Sequence, residues 1–226
     1  MDVKESRVRR GPLQRAALLT AVSTLTVALA ACGTSGPSSA GPTASSKVPV
    51  AESGAPAGPA SDTPFGAGCS TLPASGSGSV RGMAADPVAI AAAQNPALAG
   101  LAAAVARADL ADSFNSQQNV TVLAPDNPAF AVLSQPTRDG LLADTAKLTR
   151  MLTHHVLEGR LTPGQLAGTH STLANDTVTI TGSGEKFDIS GDQTLLGSRP
   201  ATVVCGSIAT ANATVYIIDQ VLTPRR

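Results

Sequence analysis

The chain has 226 residues, 16 Lys and Arg against 16 Asp and Glu, 42% hydrophobic residues and only 2% aromatic ones. Balanced charge supplies no basic surface for a nucleic-acid backbone, and a chain without Trp offers no stacking platform for bases or sugars. The cysteine count of three is odd, which in an exported chain points to one thiol with a fate other than an internal disulfide.

Lys4, Arg7, Arg9, Arg10 and Arg15 precede an uncharged run from Ala16 to Ala31, the pattern of an export signal. Sixteen helical residues reach about 24 Å, short of the roughly 30 Å of hydrocarbon in a bilayer. Thr20, Ser23, Thr24 and Thr26 dilute the run further, so residues 1–31 are expected to be removed rather than kept as a transmembrane anchor. The run ends in Leu29-Ala30-Ala31-Cys32, which resembles the lipobox of bacterial lipoproteins. That resemblance implies cleavage before Cys32 and transfer of a diacylglyceryl group to its thiol. The rival reading, cleavage after Ala28-Leu29-Ala30 for plain secretion, leaves Cys32 unexplained. Two acyl chains hold a protein on a membrane where one gives marginal binding, so the membrane is the first expected partner, reached from the extracellular side. Loss of five basic and two acidic residues with the signal leaves eleven against fourteen, a net charge of −3 for the mature chain.

With Cys32 acylated, Cys69 and Cys205 remain, and an oxidising exterior favours their pairing over two unrelated buried thiols. From Gly33 to Gly66 the chain is mostly Gly, Ser, Pro, Ala and Thr, too poor in apolar surface to fold. Residues 32–66 therefore read as the lipidated cysteine and a flexible linker, with an r.m.s. reach of about 30 to 35 Å. Residues 67–79 form a short extension carrying Cys69, and residues 80–224 one compact domain. Five aromatics in the whole chain predict an aliphatic core.

The first half of that domain reads as helices, several marked by a capping residue followed by proline. Asp86-Pro87, Asn95-Pro96, Asn127-Pro128 and Thr162-Pro163 fit this pattern. Leu98, Leu101 and Val105 share one face of an Ala-rich helix, and Leu148, Met151, Leu152 and His155 share a face of a second that begins near Asp144. Between them, Val120 to Ala124 is a β-type run ending at Pro125. After about Gly168 the period changes to two, with Val178 and Ile180 between threonines and Phe187 and Ile189 flanking Asp188. Val203 to Cys205 and Thr214 to Ile218 follow as further strands, which makes the fold class α+β.

Three stretches together resemble a fasciclin (FAS1) domain: Thr121 to Phe130, His154-His155-Val156-Leu157 with His154 standing where the family motif has Tyr, and Ala213 to Pro224. The resemblance implies a wedge-like β sandwich flanked by an N-terminal helical bundle. With the lipobox and linker, the chain is similar to the fasciclin-domain surface lipoproteins of actinobacteria and their secreted immunogenic relatives. In those relatives a cysteine ahead of the domain bonds one near its end, which supports the pair Cys69 and Cys205. The family also makes Ile218 and Asp219 candidate adhesion contacts, because related domains carry an Ile and acidic pair there in proposals about integrin binding. A structural reading weighs more: Val215, Ile217 and Val221 alternate as a strand, leaving Asp219 to hold a turn by hydrogen bonds.

The remaining residues offer structure before chemistry. Asn127 is expected to cap a helix that carries Phe130 into the core, and His155 on its apolar face to be a hydrogen-bonded core residue tying helix to sheet. Adjacent His154 and His155 point about 100 degrees apart on a helix and cannot easily share a metal. Gly182-Ser183-Gly184 reads as a hairpin turn and not as a phosphate loop, and Asp86, Asp109, Asp112 and Asp126 are spread through caps and loop ends. The sequons at Asn119, Asn175 and Asn212 read as turn chemistry. No catalytic group, cofactor site or metal site is expected. The sequence thus predicts a monomeric, non-enzymatic, lipid-anchored surface protein for adhesion or contact with an extracellular or envelope protein. The alternative is an envelope binding module holding an apolar ligand or glycan between helices and sheet.

Overall fold

The computed structural model describes residues 63–224; the signal peptide, Cys32 and nearly all of the linker lie outside the described residues. Among these, α1 (Val80–Met83), α2 (Val88–Gln94), α3 (Ala99–Arg107) and α4 (Ala111–Ser116) precede β1 (Val120–Pro125). Then come α5 (Asn127–Ala131), α6 (Gln135–Ala143), α7 (Thr145–His154), β2 (Val156–Glu158) and α8 (Pro163–Leu166). The chain ends in β3 (Gly168–Ser171), β4 (Thr177–Ser183), β5 (Lys186–Ile189), β6 (Ala201–Ala209) and β7 (Ala213–Ile218). Helices precede most of the strands and the class is α+β, as expected from the sequence.

The strands form one sheet in the order β2-β1-β7-β6-β5-β4-β3. Neighbours are antiparallel except β1 and β7, which run parallel from Val120 opposite Ala213 to Pro125 opposite Ile218. Register shifts in β6 between Val203 and Cys205, and again before Ile208, bend that strand, and it pairs with β5 through Ala201 and Thr202. A bridge from Leu157 to Thr172 then brings the two outer strands together, so the sheet curls back over itself.

This curling gives two cores, and the period of two sorts residues between them. On β1 and β7, Val122, Ala124, Val215 and Ile217 face the helices and pack with Leu101, Leu148 and Leu152. Leu123, Tyr216 and Ile218 face the other way, into the curl, with Leu157, Val178, Ile180 and Phe187. Both strands are buried throughout, as expected of a sheet covered on both sides.

The second core departs from an aliphatic one. Phe65 lies 6.0 Å from Phe187 and 6.3 Å from Tyr216 between ring centroids, so three of the five aromatics gather at one end. Phe65 exchanges two backbone hydrogen bonds with Gly206, at 3.2 and 2.8 Å. A Cβ on Gly206 would sit 2.4 Å from the Phe65 ring, which is why the position is glycine. Phe65 and Gly66 therefore belong to the folded body, and the linker boundary set at Gly66 is corrected toward the N-terminus: an apolar ring whose partner Gly206 lies far along the chain on β6 is invisible in a Pro- and Gly-rich context.

Caps agree and disagree with sequence in instructive ways. Asn95 accepts from Ala97 N–H, Asp144 from Lys147 N–H, and Thr162 with Gln165 forms a capping box. The cap of α5 is Asp126, which accepts from Ala129 N–H; Asn127 instead accepts from Gly100 N–H and donates to the Pro96 carbonyl. Asp86 does not cap α2 either. Val88 N–H is satisfied by Asn212, 124 residues away, and Ala89 N–H by Asn115. The Gly182-Ser183-Gly184 turn is likewise displaced: Ser183 pairs with Lys186, so Gly184 and Glu185 make the turn and Gly182 stays in β4.

Candidate functional site

The first and last motifs meet where β1 and β7 end side by side. Asp126 N–H donates to the Ile218 carbonyl at 3.0 Å, so the turn into α5 is pinned to the end of β7. Beside this junction runs an open groove of about 690 Å³. One wall is the extension from Gly66 to Leu72; the others come from Asp126 to Pro128, Glu185 and Lys186 of the β4–β5 hairpin, and Val203, Val204 and Ile217. The groove thus carries apolar strand surface with both signs of charge on its rim.

Ile218 and Asp219 take structural places. Ile218 is fully buried in the curled core and offers no surface to a partner, which corrects its candidacy as an adhesion contact. Asp219 accepts from Thr202 N–H at 2.7 Å, and its own N–H donates to the Thr202 carbonyl at 3.2 Å. This double clamp closes the end of β7 against β6, so the Asp219 carboxylate is engaged within the fold. Burial pushes the Asp126 carboxyl above its ordinary range, the hydrogen bond from Ala129 N–H pulls it down, and the nearby Asp219 charge pushes it up again.

His155 lies at the C-terminal end of α7 and is 2% exposed. Its Nδ1–H donates to the Met151 carbonyl at 2.8 Å, and its Nε2 accepts from Leu222 N–H at 2.9 Å. The ring therefore ties α7 to the segment after β7. Burial drives its pKa down to about 4; the Met151 carbonyl opposes this and His154 reinforces it. Sequence reasoning missed a second histidine contact. His154 is 1% exposed, and its Nδ1 lies 2.6 Å from Asp176, whose carboxylate also accepts from the Thr172 hydroxyl. Asp176 sits 22 residues downstream in a polar loop, and no local pattern marks it as the partner.

Cys69 and Cys205 are joined by a disulfide, fastening the extension to the central strand β6 beside the groove. Between the helices and the sheet, the cavity bounded by Val88, Leu101, Phe114, Val122, Leu152 and His155 is about 20 Å³. That is room for about one water, so side chains fill this part of the contact between helices and sheet. Asn212 sits in the turn between β6 and β7, is 3% exposed and donates to the carbonyls of Phe114 and Gln117, so this turn residue is also a buried hub. Asn119 and Asn175 do adopt turn conformations, with φ of 56° and 59°. Among the described residues, no group of three His, Cys, Asp or Glu is placed to hold a metal ion.

Comparison with known proteins accounts for this architecture. The sequence model of the Fasciclin domain matches residues 96–224. The immunogenic protein MPB70 of Mycobacterium bovis is 42% identical over 167 residues, covering 70% of this chain and 81% of that protein. The cell surface glycolipoprotein MPB83 of the same organism is 39% identical over 208 residues, covering 87% of this chain and 89% of that protein. A solved FAS1 domain pair from the insect cell adhesion molecule Fasciclin I aligns with 25% identity over 56% of this chain and 45% of that one, with a TM-score of 0.43. The chain described here belongs to the fasciclin domain family.

Proposed function

We propose that this chain is an extracellular fasciclin protein, anchored by lipid at Cys32, that mediates adhesion or protein contact at the cell envelope without enzymatic activity. The observation that carries this reading is the reach of the likeness to a cell surface glycolipoprotein: it covers 87% of the chain, far beyond residues 96–224 of the domain itself. The leader and Leu29-Ala30-Ala31-Cys32 supply the route outward and the attachment point. The folded domain supplies the contact surface, held as a monomer at the end of the linker.

Two measurements test it. Cys32→Ala should abolish fatty-acid labelling and move the protein from the membrane fraction into the medium or an uncleaved precursor. Unchanged labelling and partitioning would overturn the anchor. Removal of residues 63–224 from the anchored protein should abolish binding of cells to matrix, host cells or envelope partners; binding equal to that of the intact protein would overturn the adhesion reading.

A further inference from the structure

We propose that a pocket between α3, α5 and α6 binds the apolar end of a single-chain amphiphile with a carboxylate head, the chemistry of a free fatty acid. The pocket has a volume of about 250 Å³ and apolar walls from Ala103, Ala104, Phe130, Leu133, Leu141 and Leu142. It is separate from the groove beside β7 and from the small space under α2. Its origin is in the sequence: α3 presents Gly100, Ala103 and Ala104 where bulkier residues would fill the gap toward α6. The Phe130 ring closes one end by lying over Gly100, where a Cβ would meet it at 2.9 Å.

Arg138 is the one charged residue of this lining. It is half-buried, and among the described residues its guanidinium has neither an ion pair nor a hydrogen bond. A guanidinium carries five N–H donors and binds a carboxylate through two parallel hydrogen bonds. The neighbouring acid Asp139 lies on the next position of α6, about 100 degrees around the helix, and does not neutralise it. An apolar pocket with one unpaired cation in its lining matches a chain with one anionic end. Shape narrows the class further. At about 250 Å³ the pocket lies below the roughly 300 to 1,000 Å³ usual for drug-sized ligands, which suits part of a slim chain better than a bulky ligand. Leu142, 37% exposed, extends the apolar wall toward the surface for the part of the chain that does not fit inside. A phosphate dianion would call for more than the single cation present.

The test uses the full chain carrying Cys32→Ser, so that its own acyl groups cannot fill the pocket, titrated with dodecanoate and, separately, with dodecanol. Amide and methyl NMR shifts are expected at Gly100, Ala103, Leu141 and Leu142, with dodecanoate binding at least about tenfold more tightly than dodecanol. Arg138→Gln should bring dodecanoate to the level of dodecanol while leaving the melting temperature unchanged. Ala103→Leu, which places a side chain in the cavity, should abolish binding of both. Equal affinity for acid and alcohol, an Arg138→Gln protein that still prefers the acid, shifts located elsewhere, or no shifts below the micelle concentration would each overturn the proposal.

Discussion

Nδ1 of His154, the last residue of α7, lies 2.6 Å from Oδ1 of Asp176 in the loop that leads into β4. The carboxylate is 13% exposed and the imidazole 1%, so the pair holds a helix of the first core to the far half of the sheet largely out of water. Asp176→Ala would leave both the ring nitrogen and the Thr172 hydroxyl without their acceptor. A loss of about 2 to 4 kcal/mol is expected in urea unfolding. Asp176→Asn retains one acceptor oxygen and should lose clearly less. Equal losses for the two variants would show that the hydrogen bonds to this carboxylate contribute little.

His155 makes stability pH-dependent. Its folded pKa of about 4 lies below the ordinary value of 6.5, so between these values the unfolded chain takes up a proton that the folded chain refuses. Stability is therefore full above pH 6.5, falls as pH drops toward 4, and levels off below, with a span of up to about 3 kcal/mol. Thermal melts at pH 7 and pH 4.5 should show a larger drop for the native protein than for His155→Gln, which has no such group. Parallel drops in the two proteins would remove His155 as the cause.

The disulfide closes a sequence separation of 136 residues, which in the chain-entropy model contributes up to about 5 kcal/mol. Cys69→Ser is the cleaner variant, because Cys205 is fully buried and a lone thiol there behaves as a small apolar side chain. Its melting temperature should fall by several degrees under non-reducing conditions and match the native protein once both are reduced. A midpoint equal to that of the oxidised native protein would show that the bond adds nothing.

What could be seen in the sequence was what repeats or sits close by. β1 and β7 are short runs of β-formers between turn residues, and α7 has both a cap at Asp144 and a full apolar face. α4 has too few turns for a period to show, and α6, though as long as α3, carries its apolar residues only at its C-terminal end. The choice between Asp126 and Asn127 as a cap was open locally, since both are good N-caps, and it was settled by Gly100, which draws the Asn127 amide away. Asn212 capping α2 and His154 pairing with Asp176 are contacts between distant segments, which the chain records only once it is folded. The groove and the Arg138 pocket follow the same rule, being gaps between elements rather than features of any one.

The fit of Phe65 over Gly206 supports one more prediction. A methyl group at Gly206 would lie 2.4 Å from the Phe65 ring and 2.9 Å from the Tyr216 ring. Tyr216 is fully buried and its hydroxyl donates to the Leu161 carbonyl at 3.0 Å, so it has little room to withdraw. Phe65 stands near the start of the described residues, so Gly206→Ala should expel this ring and forfeit its burial, costing about 2 to 4 kcal/mol. In a Phe65→Ala background the ring is already gone, and the same change should cost at least about 1 kcal/mol less. Double-mutant unfolding measures the difference directly. An identical cost in both backgrounds would mean that Tyr216 or the β6 backbone, and not Phe65, demands glycine at this position.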